Sequence, residues 1–454
     1  MSVVRERNLL VIDQGTTSTR AILFDGEGSL LASDSVPLEQ IYPQPGWVEH
    51  DPEAIWCAVL NVVKAVLDAS DIALVAGIGI ANQRETTVLW ERATGRPVAN
   101  AVVWQDRRTA SLCDELRKDG LASHVEETTG LLLDPYFSAT KIAWLLNEIP
   151  KLRQRAEKGD ICFGTIDSWL IFKLTKGVVH ATDATNASRT MLYDIAKGQW
   201  DGALLQRLDI PRTMLPQVRD CQSDYGLCAI EHFGATVPIC GVAGDQQSSA
   251  FGQACFEPGM IKATYGTGCF VLVNTGTEKV RSQNRMLSTI GWQLDGEVSY
   301  ALEGSIFMAG ATVQWLRDAL RLFDDAAQTE AMAAAADANS GVTLVPAFQG
   351  LGAPYWDAGA RGALVGLSRA SGSNEIIRAG LEGVAFQTVD LLSAISVDME
   401  TAKLGTPEIF RVDGGMTSNK WLMQFLADIT ALPVQCAAIA ETTALGAAYH
   451  AGLH

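Results

Sequence analysis

The chain has 454 residues, a formal net charge of −17, 48% hydrophobic residues and 19% charged residues. That length calls for at least two domains with cores of their own, and the composition excludes a disordered or low-complexity chain. The acidic balance argues against the basic footprint of a nucleic-acid binder, so any bound nucleotide must be held by local donors and a metal, against the global field. Nine cysteines stand singly, the nearest two being Cys221 and Cys228. This spacing offers no zinc finger and fits a reduced, cytoplasmic protein. No apolar run reaches signal-peptide or membrane-spanning length.

The first predicted element is a hairpin over residues 9–25. An apolar run enters Asp13-Gln14-Gly15-Thr16-Thr17-Ser18-Thr19-Arg20, and a second apolar run leaves it. Its tip offers backbone N–H groups, hydroxyls and one carboxylate, a set able to cradle phosphate and hold Mg²⁺. The glycine and lysine spacing of a P-loop is missing, and such a tip read alone is usually just a turn. Asp51 is positioned to cap a helix over 52–67, with Pro52 at its first turn. Residues 75–81 read as a buried strand ending in the polar cluster Asn82-Gln83-Arg84-Glu85-Thr86-Thr87. Ligands in open α/β sheets sit beyond such carboxyl ends. Val102-Val103-Trp104-Gln105-Asp106 repeats that arrangement. Helices are expected over 141–148, with Trp144 and Leu145 as core, and over 167–174. The run 237–244 ends in Asp245-Gln246-Gln247, with a helix expected from Ser248.

A second copy of the first plan follows a boundary placed near residues 252–259. Residues 260–273 run apolar into Thr264-Tyr265-Gly266-Thr267-Gly268 and apolar out again. Two hairpins of one design, one per half, suggest a duplicated domain with a phosphate between the copies. Further on come a helix carrying Gln314, Trp315 and Leu316, an alanine-rich helix over 331–338, and a strand over 409–412. That strand leads into Asp413-Gly414-Gly415-Met416-Thr417-Ser418-Asn419, where the glycines permit close approach of a flat ligand or simply a tight turn. Residues 442–452 form a small-residue helix.

These residues resemble the FGGY carbohydrate kinases over nearly the whole chain. Tyr136-x-Ser138-x-x-Lys141-Ile142-x-Trp144-Leu145-x-Asn147-Glu148 matches one family pattern. Residues 362–382 match a second, with Gly380 where a larger residue is usual. The clusters at 82–87, 244–247, 265–270 and 350–357 are similar to those of the members that phosphorylate glycerol. The resemblance implies an α/β fold of two related actin-like (ribonuclease H-like) ATPase domains around a central cleft, divided as 1–252 and 253–454. It implies phosphorylation of glycerol by MgATP, giving glycerol 3-phosphate and ADP, in a cytoplasmic homo-oligomer, a dimer or a tetramer.

By the same resemblance, Asp245 is the general base for the attacking hydroxyl. Arg84, Glu85, Tyr136, Asp245 and Gln246 bind glycerol hydroxyls, and Trp104 and Phe270 form an apolar wall. Thr16, Thr17, Ser18 and Thr267 contact phosphates, with Arg20 neutralising charge. Asp13 orders Mg²⁺ through water. Gly310, Gln314, Gly415 and Asn419 contact the nucleotide.

Some members carry a glycine- and lysine-rich loop that binds fructose 1,6-bisphosphate. The corresponding Ile230-Glu231-His232-Phe233-Gly234-Ala235 has an acidic residue and lacks those glycines, so this anion site is expected to be lost. His232 lies near a position phosphorylated in other members, but in different surroundings, and reads as an ordinary surface histidine. Family members usually continue with further helical residues after the point matching His454, a tail that reads as absent here. Two alternatives stand beside a glycerol-phosphorylating enzyme. One takes a larger polyol or a ketose such as xylulose. The other is an actin-like ATPase that uses nucleotide to switch shape and has no need of a hydroxyl pocket.

Overall fold

The computed structural model describes residues 7–68, 71–357 and 359–454. Contacts divide the chain into two units: Met1–Gly252 with Thr289–Ser299 and Thr443–His454, and Gln253–Ser288 with Tyr300–Thr442.

The main sheet of the first unit is built from β1 (Asn8–Gln14), β2 (Ser18–Phe24), β3 (Leu30–Pro37), β4 (Val75–Asn82), β5 (Leu227–Cys228) and β6 (Val237–Gly244), in the order β5-β6-β4-β1-β2-β3. The β1–β2–β3 strands pair antiparallel, while β1, β4 and β6 run parallel. Both faces of the central strands are covered, which explains their unbroken apolar runs. Leu10, Ile12, Ala21 and Leu23 pack with Ile55, Val59, Val62 and Val66 of the helix Pro52–Leu67. Val11, Ile22 and Ala81 pack instead with Ala444, Leu445, Ala447 and Ala448 of the helix Thr442–Leu453. Each fully buried aliphatic side chain contributes about 2 kcal/mol. The second helix is rich in small residues because it lies almost on the strands: a Cβ added at Gly79 would sit 2.4 Å from the Ala447 carbonyl oxygen.

A second sheet contains β7 (Ile261–Tyr265), β8 (Cys269–Gly276), β9 (Leu287–Leu294), β10 (Glu297–Ile306), β11 (Phe410–Asp413) and β12 (Val434–Cys436), in the order β9-β10-β8-β7-β11-β12; all of it falls in the second unit except residues 289–299 of β9 and β10, which group with the first. Its hairpin strands β7 and β8 pair antiparallel, and β7, β11 and β12 run parallel. The plan of the first sheet recurs: the opening strand is central, its hairpin partners lie to one side and two parallel strands to the other. Ile261, Ala263, Val271 and Val273 pack with Ile377, Leu381, Val384 and Leu391 of the long helix Ser373–Thr401.

Asp51 caps its helix as expected, its Oδ1 accepting the Glu53 N–H at 2.9 Å. Three local expectations are corrected. The helix expected from Ser248 begins at Asp245 itself. The alanine-rich helix spans Gln328–Ala335. Trp144 is half-buried, not core: it meets Trp47 edge-on at 5.3 Å and lies 4.8 Å from the Arg108 guanidinium.

Candidate active site

In the first unit the β1–β2 tip is closed by the Gly15 N–H donating to the Ser18 carbonyl at 2.9 Å. The tip is laced to the end of β4 by Gln83. The Gln83 N–H donates to the Gln14 carbonyl at 2.7 Å, and its Nε2 donates to Gln14 Oε1 at 3.0 Å and to the Gly15 carbonyl at 3.1 Å. Thr17 is exposed, and Thr16 and Ser18 are half-buried. Trp104 Nε1 donates to Thr16 Oγ1 at 2.9 Å, tying the expected apolar wall to the expected phosphate turn.

Arg20 faces Asp13 across the hairpin, with Nη2 2.7 Å from Oδ2. Asp13 is 2% exposed. Among the described residues no group of three or more His, Cys, Asp or Glu could hold a metal. One buried carboxylate beside the hydroxyl-bearing β1–β2 tip fits Mg²⁺ that keeps most of its water and rides on nucleotide phosphates. It does not fit a resident metal caged by protein.

The polar cluster after β4 holds two charged residues in opposite partnerships. Arg84 lies buried with Nε 3.2 Å from Asp245 Oδ1, and its Nη1 donates to Gln247 Oε1 at 3.2 Å. Gly244 makes room for it, since a Cβ there would lie 2.7 Å from Arg84 Cγ and Cδ. Asp245 Oδ1 also accepts the Gln246 N–H at 2.7 Å, which fixes the carboxylate at the first turn of its helix. Behind it, the Gly244 N–H donates to Thr185 Oγ1 at 2.9 Å, and that hydroxyl donates to buried Asp183 at 2.6 Å. The carboxylate is thus held by Arg84 and by the first turn of its own helix, while Gly244 before it is tied to Thr185.

Glu85 points the other way and is 1% exposed. Its backbone φ is +59°, in the left-handed region that a non-glycine residue enters at a cost of about 1–3 kcal/mol. Its carbonyl accepts from Ser138 Oγ at 2.9 Å and Thr87 Oγ1 at 3.1 Å, and its carboxylate accepts from Arg189 Nε at 2.6 Å. Arg189 in turn lies 5.8 Å from the Tyr136 ring centroid and 5.4 Å from that of Phe137. Tyr136 meets Trp104 edge-on at 5.4 Å. The first unit therefore brings Arg84 to Asp245 and Gln247, Gln246 to Asp245, Arg189 to Glu85 and Tyr136, and Trp104 to Thr16 and Tyr136. Lys141 lies beneath this floor, its Nζ donating to the Tyr136 carbonyl at 2.6 Å, and burial pulls its pKa down to about 8.

Arg189, Gln83 and Ser138 were not among the expected site residues. The polar run after β4 signals Gln83, and the family pattern contains Ser138. Arg189 has no local signal, because its partner lies 104 positions earlier in the chain.

In the second unit the β7–β8 tip is stitched to the helix Gly310–Asp318. The Gly310 N–H donates to the Gly266 carbonyl at 2.9 Å, and the Ala309 and Ala311 N–H groups each donate to the Thr267 carbonyl at 3.0 Å. The Thr267 and Gln314 side chains are exposed and Phe270 is half-buried. Gly414 adopts φ +91° and Gly415 opens a 3₁₀ turn. Asn419 caps the next helix: its Oδ1 accepts the Leu422 N–H at 2.9 Å, while its Nδ2 donates to Thr329 Oγ1 at 3.1 Å.

His232 is half-buried. Its ring meets Trp56 edge-on at 5.1 Å and its Nε2 lies 3.2 Å from the Lys173 carbonyl, with burial lowering its pKa.

The model of the N-terminal domain of the FGGY family of carbohydrate kinases matches residues 8–252, and that of the C-terminal domain matches residues 261–454. A glycerol kinase of Brucella ovis is 56% identical over 443 residues, covering 97% of this chain and 89% of the relative. One of Cereibacter sphaeroides is 55% identical over 447 residues, covering 98% and 90%. The crystal structure of Plasmodium falciparum glycerol kinase with ADP superposes with a TM-score of 0.91 at 39% identity, covering 99% of this chain and 89% of that one. A gluconate kinase of Lactobacillus acidophilus shares the fold, with a TM-score of 0.87 at 24% identity.

Proposed function

The chain belongs to the FGGY family of carbohydrate kinases, and from that premise we propose that it transfers the γ-phosphoryl group of ATP to a terminal hydroxyl of glycerol. The products are sn-glycerol 3-phosphate and ADP. The observation that carries this reading is the Arg84–Asp245 and Arg189–Glu85 arrangement, two carboxylates each held by a buried arginine. Such a site offers fixed acceptors to a small molecule with a hydroxyl on every carbon, and rejects analogues that leave those groups unpaired.

In the proposed step the glycerol oxygen bonds to the γ-phosphorus as the bond to the bridging β,γ-oxygen breaks, and ADP leaves with that electron pair. The hydroxyl proton passes to Asp245, which is held in one orientation by Arg84 and the Gln246 N–H. Arg84, Glu85, Tyr136 and Gln246 bind the hydroxyls, and Trp104 and Phe270 cover the carbon chain. Thr16, Thr17 and Ser18 meet the phosphates from the 1–252 half, with Arg20 keeping Asp13 in place. Thr267, Gly310, Gln314, Gly415 and Asn419 serve the nucleotide from the 253–454 half. Asp13 would hold Mg²⁺ through water, and the ion supplies charge neutralisation on the phosphoryl group. These assignments are supported by the family match and, for Asp13, Thr16, Arg20, Arg84, Glu85, Trp104, Tyr136, Asp245 and Asn419, by the contacts each makes within its own unit. A cytoplasmic homo-oligomer, a dimer or a tetramer, is part of the same proposal. Among the described residues no helix is long and apolar enough to cross a membrane.

The test is ADP release by purified protein with MgATP, comparing glycerol, dihydroxyacetone, glyceraldehyde, erythritol, xylulose and no acceptor. Stimulation greatest with glycerol is expected. Stimulation by xylulose alone would move the substrate to a larger sugar while keeping the reaction class.

A further inference from the structure

The proposed pocket contains a charged residue that none of its assigned roles uses. Arg189 is completely buried, and its Nε lies 2.6 Å from Glu85 Oε1. It follows directly after the short helix Ala184–Ser188. That helix is pinned to the end of β4 by reciprocal hydrogen bonds between Asn186 and Asn82, 2.9 and 3.0 Å long. Asp183 caps the same helix, accepting the Thr185 and Asn186 N–H groups at 2.7 and 3.0 Å. The Arg189 N–H donates to the Asn186 carbonyl at 3.0 Å, and the Thr190 carbonyl accepts the Ala139 N–H at 2.9 Å. The guanidinium therefore stands on a platform fixed at three places and lies against two aromatic rings.

Glu85 needs such a partner. Its backbone is held in the left-handed region by Ser138 and Thr87, so the direction of its side chain is set. A carboxylate buried to this degree stays ionised only beside a cation that also donates a hydrogen bond. Guanidinium supplies that donor in a fixed plane, whereas an ammonium on a flexible stem does not.

We propose that Arg189 is a positioning residue for substrate selection: it orients the Glu85 carboxylate as a hydroxyl acceptor, so that the preference for a fully hydroxylated three-carbon acceptor is set from behind the contact surface. This rests on the glycerol reading above.

The test compares the wild type with Arg189→Ala and Arg189→Lys. It measures kcat/KM for glycerol, propane-1,2-diol and propane-1,3-diol, and ADP binding by calorimetry. The alanine variant is expected to lose about 100-fold in kcat/KM for glycerol but much less for the diols, so that the preference for glycerol shrinks about tenfold. ADP affinity should stay within twofold, and added ethylguanidinium should restore part of the preference. If alanine prevents folding, Arg189→Lys carries the test, because it keeps the buried charge; it is expected to lose at least fivefold of the preference. Equal losses on all three acceptors, or an unchanged preference in the lysine variant, would mean a merely structural role and overturn the proposal. A wild type that glycerol does not stimulate overturns the glycerol reading itself and the inference with it.

Discussion

The indole N–H of Trp104 donates to the Thr16 hydroxyl at 2.9 Å. The residue assigned to the carbon chain of the acceptor and the residue assigned to the phosphate of the donor are thus one hydrogen bond apart. Neutral hydrogen bonds of this kind contribute about 1 kcal/mol net. Trp104→Phe keeps an aromatic face and removes the donor. It is expected to raise KM for both glycerol and ATP several-fold. In a double-mutant cycle with Thr16→Val the two losses should not add, leaving a coupling of about 1 kcal/mol. Strict additivity would show that the contact does not connect the two sites.

Asp245→Asn retains the shape of the side chain and an oxygen for the Gln246 N–H, and removes the proton acceptor. A positioned general base contributes on the order of 10²–10⁴-fold. The variant is expected to lose at least 100-fold in kcat with ADP binding nearly unchanged. Turnover near the wild-type rate would move the base to another residue.

His450 is buried against Phe251, with ring centroids 4.0 Å apart, and burial lowers its pKa to about 3. His50 and His180 are lowered to about 4 in the same way. The folded state therefore keeps these rings neutral while the unfolded chain takes up protons below about pH 6.5. The contribution is whole above that pH and is lost as pH falls toward the folded values. At pH 4.5 the loss from His450 alone is about 2–3 kcal/mol. His450→Phe is expected to melt with a shallower dependence between pH 7 and 4.5. An unchanged slope in thermal melts would refute this.

Asp167 has the opposite sign. Burial, with Asp183 nearby, raises its pKa to about 7, and its Oδ2 accepts from Thr182 Oγ1 at 2.6 Å. Between about pH 4 and 7 the folded state holds a proton that the unfolded state has released, so this group loses stability as pH rises. Asp167→Asn is expected to raise the melting temperature most at pH 8 and least near pH 4. A uniform shift across that range would show that titration is not the cause.

The two hairpins are legible in the chain because apolar runs flanking a polar, glycine-containing turn favour a hairpin. The helix over 52–67 is legible through Asp51 and Pro52, whose roles depend on a few neighbouring residues. The start of the helix at Asp245 is not, since Asp245-Gln246-Gln247 carries no apolar period and reads as loop. The assigned residues Arg84, Glu85 and Asp245 come from matched motifs, but their pairing comes only from the fold. Arg84 meets Asp245, and Glu85 instead meets Arg189. No periodicity links two residues 104 positions apart, so the second arginine emerges only once β4 and the helix after Asp183 are brought together.

Phosphorus NMR of a reaction holding the protein, MgATP and glycerol tests the central claim most directly. The γ-phosphate signal is expected to be replaced by that of sn-glycerol 3-phosphate, in a one-to-one ratio with ADP. Inorganic phosphate appearing with ADP while glycerol remains unmodified would contradict it, and would indicate an ATPase with no hydroxyl acceptor.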